Sequence, residues 1–483
     1  IILCPQDQVD ALSPFGKAVG LASWPTLNND RDHIRLTDAS GKLIHSLSYD
    51  ASWYRSSFKR DGGWSLEMID NVYPCSGSKN WIASESENGG TPGIENSVIA
   101  SNPDLTGPRL ISAFANSPEQ VILYFDEPLS PNSATAGAFE IDQGVVATNA
   151  VLQGLQEIIL QLEPVLSQTP VYQIRVTDIT DCGGNLINDE FNTATFALPQ
   201  EADSLDMVIN EILFNPRPMG QRFVELFNRS DKYINLKNWR LANGDTGSVA
   251  NPKIFLENQN IVIAPSSYIA ITIDAAILKG QYPKGKEENF IEASSMPSYP
   301  DDAGTVVLLN PLGNTMDWFD YQETYHYPLL SDRNGVSLER LTPDGVTNDP
   351  NNWKSAASTV GFATPGYQNS QSNQGGGATN PIEINPKHFS FNTPGVPYFT
   401  TIHYSFPDFG QVANVEVFDP QGHGIRKVAQ NQLLQANGSF TWDGTNDQGQ
   451  KVRAGYYLIL FEVFNLNGEV AVYKETVAVT SAF

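Results

Sequence analysis

The side chains with the widest chemical repertoire are sparse in this 483-residue chain. Its histidines are His33, His45, His326, His388, His403 and His423. None falls in an HxH or HExxH spacing that would bring two imidazoles onto one cation. His45 and His403 sit in strand-like patterns and read as ordinary strand residues. No GxSxG turn presents a nucleophilic serine, and neither a P-loop nor a GxGxxG after a strand offers a phosphate cradle. Without a visible catalytic constellation, the expectation is a protein that is not an enzyme. Acidic groups are better placed. Asn28-Asn29-Asp30-Arg31-Asp32 gathers carboxylate and amide oxygens, and Asp443, Asn446 and Asp447 do so again in WDGTNDQG. Hard cations take such oxygens, so Asp30, Asp32, Asp443 and Asp447 are the candidate metal ligands, and calcium is the one candidate cofactor. No glutamate stands where a calcium loop places its bidentate ligand. Asn, Asp and Gly are also what tight hairpins and Asx turns require, and the turn reading is the stronger one here; Asp126-Glu127, Asp178 and Asp181 read the same way.

The elements that must carry these residues are strands. Apolar residues recur at period two throughout, and 31 prolines and 38 glycines are spread between the runs, as in short strands joined by turns. The only stretch that reads as a helix is DAAILKGQY, residues 274–282. Lys and Arg total 29 against 54 Asp and Glu, a net charge of −25. That balance argues against binding a nucleic-acid backbone or an anionic membrane, each of which needs a local excess of Lys or Arg. Charged residues at 17% and aromatics at 10% belong to a folded chain rather than an acidic disordered one. No apolar run is long enough to cross a bilayer, so direct membrane insertion is not expected.

An internal repeat sets the organisation. Gly41, Tyr49, Ser65-Leu66-Glu67 and Asn80-Trp81 recur at a constant offset of 272 as Gly313, Tyr321, Ser337-Leu338-Glu339 and Asn352-Trp353. One residue is then inserted, and Thr91-Pro92-Gly93 and Asn96-Ser97 return as Thr364-Pro365-Gly366 and Asn369-Ser370. Two homologous domains with another between them explain this pattern. The repeat predicts that both copies use the same strands and bury Trp81 with Trp353 and Leu66 with Leu338. The second copy has a front half, MVINEILFNP, RFVELFNRS and YINLKNWRLAN. By comparison, about sixty residues of the first copy's front are expected upstream of Ile1.

The set NEILFNP, FVELFN, YINLKNWRL, SLER, NNW and TPG resembles the lamin tail domain in its secreted bacterial form, which implies an immunoglobulin-like β-sandwich. Residues 103–199, with GPRL, VILYFDEPL and YQIRVTDITDCGGN, are similar to the bacterial Ig-like domain of S-layer and other surface proteins. The C-terminal series IHYSF, VEVFDPQGHGIRKV and FTWDGTNDQGQKVRAGYY looks like the flagellar-hook-cap type of Ig-like domain and is close to the sorting domains of type IX secretion.

The expected fold is therefore all-β, a tandem array of four immunoglobulin-like β-sandwich domains with the first incomplete at its N-terminus. The boundaries are 1–97 for the C-terminal part of the first lamin tail domain, 103–199 for the Ig-like domain and 205–370 for the second lamin tail domain. A flexible Gln-, Ser-, Gly- and Asn-rich linker at 371–380 precedes a separate, mobile or partner-held domain at 381–483. Cys4 and Cys75 occur only in the first copy, which suggests a disulfide in an oxidising compartment; two buried thiols are the other reading, and Cys182 is left over. Asp203-Ser204-Leu205 matches the pattern at which Bacteroidota O-glycosylate exported proteins, making Ser204 a candidate modification site. Trp53 and Tyr54 follow a strand, where neighbouring side chains face opposite ways and one of them is expected outside. The resemblances imply a secreted, cell-surface or outer-membrane-associated scaffold or adhesin of a Bacteroidota-type bacterium, with other envelope proteins or surface glycans as partners. A structural subunit of an outer-membrane assembly or filament, and the accessory region of a secreted hydrolase, are the alternative readings.

Overall fold

The computed structural model describes residues 1–480 apart from 42, 75–76, 131, 169, 245–247, 329, 331, 373–380, 392 and 394. Strands hold 41% of the residues and helix 10%, so the chain is all-β, as the period-two patterning predicts. It forms two compact units, Ile1–Leu198 and Pro199–Phe483.

In the first unit, Ile2–Pro5 pairs in parallel with Ala18–Leu21. Arg31–Thr37 forms a hairpin with Leu43–Asp50, and Leu66–Met68 another with Trp81–Ala83. A seven-stranded sheet follows, in the order Thr193–Phe196, Tyr172–Val176, Phe139–Ile141, Val146–Gln153, Glu157–Glu163, Gln120–Phe125, Leu110–Ser117. Val121, Leu123 and Phe125 alternate inward along one strand and meet Ile158, Leu160, Ile174 and Val176 in its core.

The second unit begins with two sheets packed on one core. The larger runs Phe290–Glu292, Tyr268–Thr272, Phe223–Asn228, Met207–Leu213, Leu338–Arg340, Trp353–Ser355; the smaller runs Ala250–Ile254, Arg240–Asn243, Ala303–Leu309, Thr315–Gln322. Met207–Leu213 and Phe223–Asn228 are buried along their whole length, which is why they read as apolar runs rather than alternating strands. Trp353 is fully buried, stacks on Phe319 at 3.6 Å between ring centroids and donates its indole N–H to Thr347 O at 2.6 Å. The expected short helix forms at Ala275–Gln281, started by Asp274, whose carboxylate accepts the Ile277 N–H at 2.8 Å.

The last sandwich faces Ile382–Asn385, Thr400–Ser405 and Asn437–Trp442 against a five-stranded sheet ordered His388–Ser390, Val470–Thr480, Gly455–Phe464, Val412–Phe418, Gly424–Leu433. His388–Ser390 and the C-terminal strand Val470–Thr480 run parallel.

Three expectations are corrected. The repeat holds in register, Met68 opposite Trp81 and Arg340 opposite Trp353, but Trp81 and Leu66 are only half-buried while Trp353 and Leu338 are fully covered. The first copy's hairpin is a two-stranded sheet among the described residues, without the strands that cover its counterpart. Next, the last domain is docked rather than separate. Gln371, expected in the linker, is 1% exposed; its backbone N–H reaches Glu339 and its side-chain amide donates to Leu434 O at 3.1 Å. Ser358 Oγ lies 2.9 Å from Gln432 Oε1 and 3.0 Å from Leu433 O, and Tyr327, Val412 and Leu433 share an apolar cluster. The remaining linker positions 373–380 lie outside the described residues. Finally, Cys4 is a free, buried thiol, so the Cys4–Cys75 pair is not formed; Cys182, left over in the sequence reading, is the disulfide-bonded cysteine, and Cys75 lies outside the described residues.

Candidate functional site

The oxygen clusters named from the sequence lie at the start of the strand Arg31–Thr37 and in the turns beside it and after Trp442. Asp32 accepts the backbone N–H groups of Asn28 at 3.1 Å and His33 at 2.8 Å, which lower its pKa, the His33 bond most, and Asp30 lies exposed beside Arg31. Asp443 accepts from the Thr445 N–H at 3.0 Å and its hydroxyl at 2.6 Å; Asp447 accepts from the Lys427 N–H at 3.0 Å. Asp32 and Asp443 are thus occupied by donors of their own turns. Among the described residues the acidic group with converging oxygens is Asp104, Glu127 and Asp181, whose oxygens lie within 4.8 Å of one another. Burial, then the charges of Asp104, Asp126 and Asp181, push Glu127 up to about 7. These residues come from three separate segments, so no local motif announces them. Ser204 is exposed in a turn, next to an Asp203 carboxylate that pairs with Lys232 at 2.5 Å. Trp53 and Tyr54 lie in a short 3-10 turn and are both half-buried, so neither forms the exposed aromatic of a strand.

The second unit carries a denser cluster. Glu225, Glu211 and Glu339 stand opposite one another on three adjacent strands, and all are fully buried. Their donors are neutral. Glu211 accepts from the Ser337 hydroxyl and the Thr364 N–H, Glu225 from Asn210 Nδ2 at 2.8 Å and the Gly366 N–H at 2.6 Å, and Glu339 from the Ser370 hydroxyl at 2.8 Å and the Gln371 N–H at 2.9 Å. Thr364 Oγ1 bridges the row, 3.0 Å from Glu211 Oε2 and 2.8 Å from Glu339 Oε1. A hydroxyl has one proton to donate, so a proton on one of the two carboxyls would satisfy the second contact, and this is the direction in which burial pushes both. Burial and the neighbouring carboxylate push Glu211 up to about 8 and Glu225 well above its usual range, while burial raises Glu339. In the first copy Glu67, the counterpart of Glu339, accepts from the Thr91 hydroxyl at 2.6 Å and the Ser97 N–H at 2.7 Å, with its pKa lowered. The sequence repeat contained Glu67 and Glu339, whereas Glu211 and Glu225 were hidden inside apolar runs; a charge within a fully buried strand was the available signal.

The row is structural. A cleft of about 680 Å³ lies between the lamin-tail sandwich and the last domain. His326, Tyr327, Ser355, Gln371, Tyr325 and Phe409 line it, with Asn465 and Asn467 from a hairpin turn. Ser355 Oγ accepts the Tyr327 N–H at 2.8 Å and lies 3.0 Å from His326 Nδ1. Donation from Ser355 to Nδ1 gives the hydroxyl proton an acceptor and puts the ring hydrogen on Nε2. Burial, with Arg333 nearby, pulls His326 down to about 4, so the ring is neutral. His326 Nε2, Tyr327 Oη and Gln371 Oε1 are buried and have no protein partner. Three uncommitted polar atoms on residues of one cleft are what ordered water or a ligand satisfies.

The sheets define an array of Ig-like β-sandwiches. Within it the chain contains a lamin tail domain and a hook-cap-type domain: residues 200–323 match the Lamin Tail Domain family and residues 400–463 the FlgD Ig-like domain family. The six-stranded sheet continues past the matched stretch, through Leu338–Arg340 and Trp353–Ser355. No curated protein matches the sequence. Among solved structures, the N-terminal part of the bacterial S-layer protein SbsC is 14% identical over 34% of this chain and 40% of its own length, with a TM-score of 0.19. A DUF4876 family protein from Bacteroides thetaiotaomicron is 11% identical over 50% of this chain and 91% of its own, at 0.22. The SGBP-B protein of the Bacteroides ovatus mixed-linkage glucan utilization locus, solved with a heptasaccharide, is 10% identical over 79% and 69%, at 0.15.

Proposed function

We propose that the protein is a non-enzymatic scaffold of the bacterial cell surface whose sandwiches hold a binding cleft for a neutral glycan. The observation that carries this reading is a cleft between two domains lined by His326, Tyr327 and Gln371, each of which also keeps a buried side-chain polar atom without a partner. A neutral imidazole, a phenol and an amide oxygen supply donors and acceptors without charge, which suits hydroxyl groups better than a phosphate or carboxylate. Tyr325 and Phe409 add apolar ring surface. The chain's strong negative charge disfavours anionic ligands for the same reason that it disfavours nucleic acid. Export to the surface, by type IX secretion or another route, belongs to the same proposal, as does Ser204 modification. Calorimetric titration with cellohexaose, maltohexaose and mannohexaose tests it. Saturable binding of one of them, lost in Phe409→Ala and Asn467→Ala, is expected; heat indistinguishable from dilution for all three would discard the glycan reading.

A further inference from the structure

Both lamin-tail copies pass the chain on through the same small set of bonds. In the second, Ser370 donates its hydroxyl to Glu339 Oε2 at 2.8 Å and accepts the Ala357 N–H at 2.8 Å. In the first, Ser97 donates to Glu67 Oε2 at 2.7 Å and accepts the Glu85 N–H at 2.8 Å. The asparagine before each serine ties the strand that carries the glutamate: Asn369 Nδ2 donates to Arg340 O at 2.8 Å and Asn96 Nδ2 to Met68 O at 2.9 Å. A backbone N–H completes each clamp on the same carboxyl oxygen, that of Gln371 at 2.9 Å and that of Ser97 at 2.7 Å. Glu67 with Glu339, Met68 with Arg340 and Glu85 with Ala357 keep the offset of 272. Both glutamates are buried. Each serine commits its proton and a lone pair to its own sandwich, which fixes its backbone as well.

The chain beyond each clamp is bonded to the next domain. Ser370 O accepts the Ala436 N–H at 3.2 Å, and Gln371 Nε2 donates to Leu434 O at 3.1 Å; Leu434 and Ala436 lie just past the last domain's strand Gly424–Leu433. In the first copy the Ala100 N–H reaches Ile69 O at 3.0 Å and the Asn102 N–H reaches Asp70 Oδ2 at 2.8 Å. Asp104 O then accepts Asn185 Nδ2 of the Ig-like domain at 3.0 Å. Segments between domains are ordinarily exposed, with few contacts across them. Asn369, Ser370 and Gln371 are instead 5%, 8% and 1% exposed.

We propose that this Asn-Ser clamp on a buried glutamate is a repeated joint, which fixes the direction in which the chain leaves each lamin-tail copy and so orients the domain that follows. Glu67 and Glu339 make none of the bonds to the following domain described above. They act through the serine and are positioning residues. In the second copy the consequence reaches the cleft, because Gln371, which lines it, is held from inside the lamin-tail sheet by Glu339.

Hydrogen exchange resolved by residue on the full chain tests the joint. Ser370→Ala is expected to speed exchange of the Gln371 and Ala436 amides by about tenfold or more, while Leu338–Arg340 and Trp353–Ser355 keep their protection. Ser370→Thr, which keeps the hydroxyl, should stay close to the parent rates. Ser97→Ala should speed the Asn102 amide in the same way. Faster exchange at Gln371 with Ala436 unchanged would show that the clamp orders only its own segment. Equal loss of protection across both strands would show that it serves only the stability of the sandwich. Either result overturns the joint, and an unmoved Asn102 amide overturns its repetition in the first copy.

Discussion

Thr364 sits between the Glu211 and Glu339 carboxyl groups, and burial raises the pKa of both, which favours a proton held within the lamin-tail sheet. This sets a pH dependence with a defined sign. A glutamate whose folded pKa is raised from about 4.5 to about 8, as for Glu211, binds its proton more tightly folded than unfolded. Its contribution is whole below the unfolded value and declines as pH rises through the folded one, at up to about 1.4 kcal/mol per pH unit for one proton. Glu211→Gln keeps the shape of the neutral acid and removes the titration. Its thermal midpoint for the second unit should exceed that of the parent chain at pH 8 and approach it at pH 5; parallel curves would refute the bound proton. The paired tryptophans give a second residue-scale test. Trp353→Ala should cost about 3–5 kcal/mol by urea denaturation. Trp81→Ala should cost clearly less, because its ring is only half-buried and its indole nitrogen has no partner.

A few side chains from separate elements hold the last domain in place. Tyr327, in the segment after the strand Thr315–Gln322, packs on Val412 and Leu433 from the last domain's five-stranded sheet, and Ser358 and Gln371 reach the backbone beside Leu433. If a protease is directed between residues 372 and 381, the C-terminal fragment is expected to stay with the rest during size-exclusion chromatography, and Leu433→Asp to release it. Separation of the unsubstituted fragments would restore the separate domain that composition suggested. Much of the fold was legible for a physical reason. Period two shows wherever one face is wet, and the 272 offset predicted that both copies use the same strands. The Asn80 and Asn352 amides agree: each accepts the N–H and donates to the carbonyl of one residue, Asp70 and Thr342 at the same offset. The docking of the last domain was not legible, because single residues such as Gln371 and Ser358 make it within stretches that read as polar loop. The glutamate row escaped as well, since pairing across three strands leaves no local pattern.

At the scale of the whole chain the two units should unfold as separate transitions, each with its own core. Reduction should act on one of them alone: Cys182 is disulfide-bonded within the seven-stranded domain's unit, and all three cysteines precede Pro199. The lower unit's loss is expected to be about 2–4 kcal/mol, read as a fall in one calorimetric peak with the other unmoved. A fall in both would mean that the units share stability. The parallel pairing of His388–Ser390 with Ala478, Val479 and Thr480 has a mechanical consequence. Tension along the chain enters this domain near its first strands and leaves through Val470–Thr480. Because His388–Ser390, which follows the first strand Ile382–Asn385, runs the same way as Val470–Thr480, tension slides this pair lengthwise, and its hydrogen bonds resist together in shear instead of opening one by one like a zipper. Forced unfolding is governed by the unfolding barrier rather than by equilibrium stability. In an optical trap this domain should therefore break at higher force than its melting temperature would suggest, a property suited to a chain under flow.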